Sequence, residues 1–452
     1  MQFQLTKEYL SELRQAIREN NEAFVKSQLH ELYPADIAEI LDELDLEEAQ
    51  YLYRHLDKDE AAEVLMQMEE DVRERFLSAL SSEQIARTFI DNLDSDDAAD
   101  LIAELPEQKK EEVISHIEDA EQASDIVDLL TYPENTAGGL MAKELIKVNI
   151  NWSVFKCITE VRAQAEEVEN VYTVYVVDDN DVLVGILPLK KLLLVPTKTK
   201  IREIYNPDVI SVKANLKDEE VANIMEKYDL VVLPVVDEQG RLLGRITIDD
   251  VVDVIKEEAD KDYQLLSGIS ENVESSDSVW IITRARLPWL LIALLGGIVG
   301  SQIISIYEPQ IQIHPEMAFF MPLIAAMGGN VGVQSSALIV QGLANNSIDT
   351  KEIFPKLWKE VSIGLINGLV CSSALFAYNL VFSHTLALSV TVSVALVTVI
   401  LFAALFGTFV PLALNRYKID PALATGPFIT TTNDIIGLFI YFMIGRLMYG
   451  IF

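Results

Sequence analysis

Long stretches without a charged side chain occupy the end of the chain. Residues 287–307 and 317–348 contain no Asp, Glu, Lys or Arg, and neither do residues 361–415. Residues 421–445 contain one charged side chain, Asp434. A membrane-spanning helix needs about 20 predominantly apolar residues, so the third stretch is long enough for two. The sequence therefore predicts a bundle of five membrane-spanning helices.

Charge divides the chain into two parts. Residues 284–452 contain 8 basic and 7 acidic residues, whereas residues 1–283 contain 27 basic and 63 acidic residues. The hydrophobic content of 50% excludes a disordered protein, and the acidic excess excludes a nucleic-acid-binding protein, which needs basic patches. The chain has only Cys157 and Cys371 and begins without an apolar run of the signal-peptide type. We therefore expect the acidic part to be cytosolic and free of disulfides.

Basic residues indicate which ends of the predicted spans face the cytosol, because Lys and Arg beside a span resist translocation. They precede span one, join spans two and three, and join spans four and five, at Arg284, Arg286, Lys351, Lys356, Lys359, Arg416 and Lys418. The other loops, at residues 307–316 and around His384, contain neither Lys nor Arg. This alternation predicts a protein of the cell membrane with a cytoplasmic N-terminus and an extracytoplasmic C-terminus.

Asp434 lies deep in the fifth predicted span, where an unpaired carboxylate is energetically costly. Its helix face continues with small or polar residues, namely Gly426, Thr430, Gly437 and Tyr441. One carboxylate in a narrow polar stripe favours a path for cations. The alternative interpretation is an Asp that packs against a neighbouring helix.

The second predicted span contains Pro322 and then three glycines in five residues, Gly328, Gly329 and Gly332, around Asn330. Glycine has a low helix propensity. Within a membrane, backbone groups that are not hydrogen-bonded within a helix are tolerated only where they are buried or line a wet cavity. Freed carbonyl groups and the Asn330 side chain would offer oxygen ligands to a cation. The alternative is a close helix crossing that needs small residues.

Residues 1–132 contain a repeat with a period of 12 or 13 residues. Apolar side chains at i, i+3, i+4 and i+7 recur from residues 37, 49, 61, 86 and 98, and the register from Arg73 has them at i+3, i+4 and i+7. Two weaker copies start at Lys110 and Ala123. Asp45, Asp57, Ser81 and Asp94 occupy positions typical of helix N-caps. Short stacked helices of this kind predict an all-α superhelical domain.

A second repeat follows, in which residues 175–192 match residues 234–251 without a gap at an offset of 59. Each copy has two predicted strands around a polar turn, followed by a predicted helix. These tandem α/β units resemble a pair of cystathionine-β-synthase (CBS) domains, regulatory modules that bind adenine nucleotides or ions.

Residues 244–250 of the second copy are similar to the segment that binds ribose in nucleotide-binding CBS domains. The resemblance therefore implies ATP as a candidate regulator, bound through Thr247 and Asp250. Lys191 stands in the first copy where the second has Asp250, so we expect at most one nucleotide site.

Residues 248–262 form a predicted helix crowded with Asp and Glu. Like charges one turn apart, such as those of Asp249 and Asp253, repel each other and weaken a helix. A bound cation would relieve this repulsion. The position just before the first span favours a cation sensor, and the alternative is a solvated acidic face.

Together these features resemble the MgtE family of magnesium channels over essentially the whole chain. The most specific motifs are Pro322 with GGNVGVQ at residues 328–334, and DPALATGPFITTTNDIIG at residues 420–437. The expected fold is a multidomain membrane protein. Its predicted parts are an acidic helical-repeat N-domain (1–132), CBS domains (133–199 and 200–256), an acidic connecting helix (257–283) and a five-helix transmembrane domain (284–452).

The resemblance implies a homodimer in the lipid bilayer that imports Mg²⁺ and closes when cytosolic Mg²⁺ fills acidic clefts. It implies a selective pore site at Asp434, with further pore residues Asn330, Gly328, Gly329, Thr430 and Gly426. The implied ligands of regulatory Mg²⁺ are Asp250, Asp253, Glu258 and Asp262 of the connecting helix and Asp96, Asp97 and Asp100 of the N-domain. Lys261 stands where the family pattern allows an acid.

Other functional classes have weaker support. The chain contains neither a GxxxxGK[ST] loop nor HExxH, so an enzyme is not expected. An intramembrane aspartyl protease needs paired membrane aspartates, whereas Asp420 falls at the edge of its span. A proton-coupled divalent-cation transporter is the main alternative, with Asp434 as proton relay, and a non-transporting Mg²⁺ receptor is the third. Oxygen ligands alone do not rank Mg²⁺ against Co²⁺, Ni²⁺, Mn²⁺ or Ca²⁺.

Overall fold

The computed structural model describes residues 3–30, 32–165, 168, 170–271, 273, 277–344, 348, 353–382, 385–424 and 426–450. The chain forms two compact units, Met1–Lys256 and Glu257–Phe452. Lys351 and His384, which entered the prediction of membrane orientation, lie outside the described residues.

The first unit begins with short helices, as the repeat predicts. They are α1 (Lys7–Arg18), α2 (Glu22–Leu29), α3 (Pro34–Asp42), α4 (Leu46–Tyr53), α5 (Lys58–Met66), α6 (Glu70–Ser78), α7 (Ser82–Thr88), α8 (Ser95–Ala103), α9 (Glu107–Ile114) and α10 (Ala120–Leu129). The predicted caps Asp45, Asp57, Ser81 and Asp94 all occupy N-cap positions. The side chains of Asp45 and Ser81 accept backbone N–H bonds at 2.9 and 3.2 Å, whereas those of Asp57 and Asp94 accept none within their helices.

The two α/β repeats form two three-stranded sheets, which confirms the predicted tandem units. The strands are β1 (Lys147–Asn149), β2 (Val174–Val177), β3 (Leu183–Leu187), β4 (Val212–Lys213), β5 (Val232–Val236) and β6 (Leu242–Thr247). The helices are α11 (Val154–Gln164), α12 (Leu189–Leu194), α13 (Asp218–Tyr228) and α14 (Ile248–Leu266). In each sheet the middle strand pairs in parallel with the first strand and antiparallel with the third.

The helical domain shares its apolar core with the second α/β copy. Leu101 of α8 and Ile246 of β6 belong to one cluster of buried side chains, whereas Val176 of the first copy belongs to a separate cluster. The segment after α10 pairs with β6, because Ala142 and Arg245 exchange backbone N–H···O=C bonds of 2.8 and 2.9 Å. The helical domain is therefore anchored on the second copy.

The second unit contains the end of α14 and the helices α15 (Val279–Ile306), α16 (Glu308–Ile313), α17 (Met321–Ala344), α18 (Ile353–Val381), α19 (Leu386–Arg416) and α20 (Gly426–Tyr449). Five helices in the described chain are long and apolar enough to span a membrane, as predicted. Helix α15 begins before the predicted first span, so Arg284 and Arg286 lie within it rather than before it. The segment predicted as one connecting helix, residues 257–283, contains the end of α14 and the first turn of α15.

Candidate ion-binding sites

Four carboxylates lie at the start of helix α8. Asp94 is the N-cap residue, Asp96 and Asp97 lie in the first turn, and Asp100 follows one turn later. Acidic side chains are favourable at this end of a helix, because the unpaired backbone N–H groups carry partial positive charge. The N–H of Asp97 donates to Oδ1 of Asp96 at 2.9 Å, which holds the Asp96 carboxylate within the first turn.

The start of helix α14 supplies another carboxylate. The backbone N–H and the hydroxyl of Thr247 both donate to Oδ2 of Asp250, at 2.9 and 2.6 Å. This capping arrangement holds Asp250 at the N-terminus of α14 beside the buried Thr247. The two residues expected to bind ribose are thus bound to each other.

The two helix starts bring these carboxylates within electrostatic reach of one another. Burial raises the pKa of Asp96 well above its ordinary value, and the charges of Asp97 and Asp250 raise it further. Burial and the charge of Asp250 raise the pKa of Asp97 to about 6. Loss of hydration and the charge of Asp97 raise the pKa of Asp100 to about 7, although Asp100 is exposed to solvent. A bound cation would relieve this repulsion between the ionised groups.

The carboxylates at the starts of α8 and α14 are called the acidic cluster below. Three carboxylates in or beside it are close enough to share one metal ion. One oxygen each of Asp94, Asp96 and Glu144 lies within 4.8 Å of the other two. Ser95 positions Glu144, since its N–H donates to Oε1 at 3.1 Å and its hydroxyl to Oε2 at 2.8 Å. The donor set is all oxygen, which fits Mg²⁺, an ion that takes oxygen ligands and retains several of its waters.

Sequence patterns do not indicate two of these three ligands. The sequence pattern around Asp94 indicates only an N-cap residue, which it is. Glu144 lies 49 residues from Ser95, in a segment without a repeat. Only the packing of the segment after α10 onto the start of α8 reveals that they are neighbours.

A buried cation lies among the carboxylates. Arg245 of β6 is 5% exposed, and its Nη2 lies 3.2 Å from Oδ2 of Asp94. Its Nε–H donates to the backbone C=O of Glu144. Arg73 is a second basic residue near Asp97, but it pairs with Glu104 of its own helical domain.

The other predicted sensor residues lie further along α14. Asp253 is exposed and Asp262 is half-buried. Glu258 pairs with Lys261 at 2.9 Å, so a lysine supplies the positive charge beside this carboxylate. Among the described residues, no group of three metal-ligating side chains forms around these positions.

In the second unit, Asp434 lies half-buried on α20. A Cβ added to Gly329 of α17 would lie 3.1 Å from Cγ2 of Thr430 and 3.6 Å from Oδ1 of Asp434. The Thr430 hydroxyl donates to the C=O of Gly426 at 3.0 Å, and the Tyr441 hydroxyl donates to the C=O of Met317 at 2.8 Å. Much of the predicted polar stripe therefore takes part in helix packing.

The glycine-rich segment of the second span is helical throughout. Helix α17 is unbroken from Met321 to Ala344, so the expectation of freed backbone carbonyl groups is wrong. Close helix contacts explain its glycines. A Cβ on Gly332 would collide with Asn433 of α20, and a Cβ on Gly407 of α19 would collide with the C=O of Gly332. Small residues at such crossings let helix backbones approach.

The predicted pore residues of α17 differ in exposure. Gly328 and Gly329 are buried, whereas Asn330 is exposed on the single chain. Asn433, beside Asp434, was not indicated by the sequence. It is buried, and its amide atoms have no hydrogen-bond partner among the described residues.

The last turn of α14 lies against the start of α20. Gly426 has a φ of +47°, and a Cβ there would collide with the C=O of Leu266. Leu265 packs in one buried cluster with Val340 of α17 and Ala422 of the turn before α20. The helix that carries Asp250 in its first turn thus ends in contact with two predicted membrane helices or their flanking turns.

Family models match most of the helical domain, both α/β copies and the membrane helices from α17 onward. A model of the MgtE divalent cation transporters matches residues 321–444, and one of the MgtE intracellular N domain matches residues 32–135. A CBS domain model matches residues 137–197 and 201–257.

Two curated relatives have the same description, magnesium transporter MgtE. The protein from Thermus thermophilus is 34% identical over 439 residues, covering 96% of this chain and 97% of its own. The protein from Bacillus subtilis is 32% identical over 314 residues, 70% of either chain.

A solved structure of the cytosolic domain of the Mg²⁺ channel MgtE in complex with ATP is also similar. It superposes with a TM-score of 0.51 at 33% identity, covering 54% of this chain and 99% of that chain. A structure of the soluble part of a magnesium transporter has a TM-score of 0.50 at 30% identity, with 56% and 99% coverage.

Proposed function

Because the chain belongs to the MgtE family of magnesium transporters, we propose that it is a Mg²⁺-selective channel that imports magnesium and closes when cytosolic Mg²⁺ binds its acidic cluster. Five apolar helices and the family make it a multi-pass membrane protein. Its proposed orientation puts the N-terminus in the cytoplasm and the C-terminus outside. The basic residues Lys356, Lys359, Arg416 and Lys418 at described helix ends support this orientation.

The observation that carries the gating proposal is the course of helix α14. Its first turn holds Asp250, whose charge acts on Asp96, Asp97 and Asp100. Its last turn lies against Gly426, where α20 begins. A displacement of α14 on metal binding would therefore act on the helix that carries Asp434.

Mg²⁺ would act by population shift. Without metal, the crowded carboxylates of α8 and α14 disfavour the compact arrangement of the helical domain on the second CBS domain. Bound Mg²⁺ removes that repulsion and favours the compact, closed form. The proposed ligands are Asp94, Asp96, Asp97, Asp100, Asp250 and Glu144, with Asp253, Glu258 and Asp262 as further ligands along α14.

Permeation is assigned to the face of α20 that carries Asp434. A half-buried carboxylate in a membrane helix attracts a divalent cation, and a second copy of the chain would supply a second carboxylate. Two carboxylates suit an ion that retains most of its waters. Thr430 and Gly426, with Gly328, Gly329 and Asn330 of α17, are the proposed flanking residues.

The CBS domains support a homodimer. The offset of 59 that relates the two copies pairs Leu189 with Ile248 and Leu193 with Val252. Leu189 and Ile248 are 36% and 37% exposed, and Leu193 and Val252 are 84% and 54% exposed. Both copies therefore present an exposed apolar pair one helical turn apart, which is suited to burial against a second copy of the chain.

ATP is the proposed second regulator, on the basis of the similar cytosolic domain solved with ATP. Thr247 and Asp250 would contact its ribose. Because Thr247 already donates twice to Asp250, ribose would compete with these hydrogen bonds. Calorimetric titration of the full-length protein with ATP, with and without Mg²⁺, tests this; no heat under either condition would remove ATP from the mechanism.

Flux measurements in proteoliposomes test the transport proposal. A Mg²⁺ gradient alone should drive uptake of Mg²⁺ into vesicles that contain a Mg²⁺-sensitive dye. The rate should not change when a proton gradient is added while the pH outside the vesicles is kept constant. Uptake that requires a proton gradient would instead identify a proton-coupled transporter, and absence of uptake would identify a receptor.

A further inference from the structure

The guanidinium group of Arg245 lies buried between the helical domain and the second CBS domain. It forms an ion pair with Asp94, 151 residues away in the chain, with Nη2 and Oδ2 at 3.2 Å. The side chain of Arg245 is 6% exposed and that of Asp94 is 33% exposed. Removal from water strengthens such a pair and makes an unpaired partner costly.

Arg245 is fixed on the CBS side of this contact. Its backbone exchanges two hydrogen bonds with Ala142, and its Nε–H donates to the C=O of Glu144. The guanidinium carbon lies 5.5 Å from the centre of the Tyr172 ring. Asp94, in contrast, is the N-cap residue of α8 in the helical domain. The ion pair therefore forms only when α8 is docked on the second CBS domain.

The arginine is specific to the copy on which the helical domain docks. At the offset of 59, the first copy has Ile186 in place of Arg245. The two strands are otherwise equivalent, since β3 and β6 pair alike with the middle strands of their sheets. Folding of the repeat thus does not require an arginine at this position.

Arg245 lies among the carboxylates of the proposed metal sensor. Asp94 also belongs to the group of three carboxylates, with Asp96 and Glu144. Burial raises the pKa of Asp250. Hydrogen bonds from Thr247 and the charge of Arg245 partly offset this rise. Nη1 of Arg245 is buried and has no hydrogen-bond partner among the described residues. The guanidinium therefore supplies the cluster with one positive charge and retains a donor that could bind a second carboxylate oxygen.

We propose that Arg245 is a tethered cation that favours docking of the helical domain on the second CBS domain, and so lowers the Mg²⁺ concentration at which docking is complete. This inference rests on the proposed sensor function of the acidic cluster. Arg245 would then set the threshold of the sensor. Because its charge offsets one carboxylate of the docked cluster, less Mg²⁺ is needed to complete docking.

The test is the docked fraction of full-length protein as a function of Mg²⁺. Spin labels at Glu111 of the helical domain and Gln239 of the second CBS domain, both exposed, report docking through their distance distribution. Cys157 and Cys371 are first replaced so that only these positions react. Loss of a charge-assisted hydrogen bond should lower the metal-free ratio of docked to undocked protein about ten- to hundredfold in Arg245→Met.

Saturating Mg²⁺ should return Arg245→Met to the docked fraction of the wild type, at a higher half-saturating concentration. Arg245→Lys should recover part of the metal-free docking, because it keeps the charge but loses the forked geometry. Arg87→Met is the control, since Arg87 pairs with Glu83 and Glu118 within the helical domain. If Arg245→Met does not fold, Arg245→Gln takes its place, since it removes the charge but keeps a polar side chain and leaves every carboxylate of the cluster unchanged.

The outcomes separate the inference from the function on which it rests. A wild-type docked fraction that ignores Mg²⁺ would contradict the sensor function. Metal-free docking of Arg245→Met, or of Arg245→Gln in its place, equal to that of the wild type would overturn the role of Arg245. A deficit that stays constant at every Mg²⁺ concentration would show a structural ion pair that metal does not replace, and would also overturn the inference.

Discussion

Protons should substitute for the regulatory cation in the metal-free protein. Burial and the charge of Asp250 raise the pKa of Asp97 from 3.8 to about 6. A carboxyl group with a higher pKa in the folded than in the unfolded chain stabilises the fold fully below its unfolded pKa, and this contribution is lost as pH rises through the folded pKa. The first unit, residues 1–256, should therefore lose stability between about pH 4 and pH 7.

The size of this effect follows from the two pKa values. Asp97 contributes about 1.4 kcal/mol more to the free energy of unfolding at pH 5 than at pH 8. Asp100, with a pKa of about 7, acts in the same direction, but solvent screening reduces its share because the residue is exposed. The contribution of Asp97 alone corresponds to roughly 3–6 °C in the unfolding temperature of a unit of this size.

Scanning calorimetry of the full-length, metal-free protein at pH 5, 6, 7 and 8 measures this shift. The unfolding transition of the first unit should move to lower temperature as pH rises, and Mg²⁺ added at pH 8 should reverse the loss. The double variant Asp97→Asn/Asp100→Asn should lose the share of the pH dependence that these two carboxyl groups supply, whereas Asp96 and Asp250 keep theirs. A metal-free wild-type transition that stays constant or rises from pH 5 to pH 8 would refute the reasoning.

Three further predictions concern permeation, gating and packing. Asp434→Asn should abolish Mg²⁺ uptake by proteoliposomes without changing the elution volume of the protein, because the amide keeps the shape and removes the charge; uptake at the wild-type rate would contradict this. A quadruple variant that neutralises Asp250, Asp253, Glu258 and Asp262 should give channels that stay open at high cytosolic Mg²⁺ in patch recordings. If it closes at the wild-type Mg²⁺ concentration, these four residues form only a solvated acidic face. Gly332→Ala should destabilise the membrane domain by about 1–3 kcal/mol through collision with Asn433. Gly297→Ala, with nothing within 4 Å of its added Cβ, is the matched control, and equal thermal shifts for the two variants would argue against the close crossing.

The sequence predicts those parts of the fold that depend on local periodicity. The 12- or 13-residue period predicts the helices from α3 to α10, because each helix buries one apolar face. The offset of 59 predicts two equivalent sheets, and uncharged length predicts five membrane helices. The polar anomalies Asp434 and Asp250 stand out for the same reason, since their immediate surroundings in the sequence do not explain them.

Contacts between distant segments are not predicted in the same way. The ion pair of Arg245 with Asp94 joins residues 151 positions apart, and neither position breaks its local pattern. For the glycines of α17, the local sequence gives a wrong prediction. Their low helix propensity suggests a broken helix, but tertiary packing against Asn433 and Gly407 favours an unbroken one. Helix propensity is a weak guide where small residues allow close contact.

Single-channel recording of purified full-length protein in a planar bilayer, with Mg²⁺ varied on the cytosolic face, tests the central claim most directly. The account predicts unitary Mg²⁺ currents above the turnover of a carrier, with an open probability that falls as cytosolic Mg²⁺ rises. It also predicts that neutralising Asp96, Asp97 and Asp100 shifts this fall to higher Mg²⁺. An open probability that does not depend on cytosolic Mg²⁺, or Mg²⁺ flux without unitary currents, would contradict it.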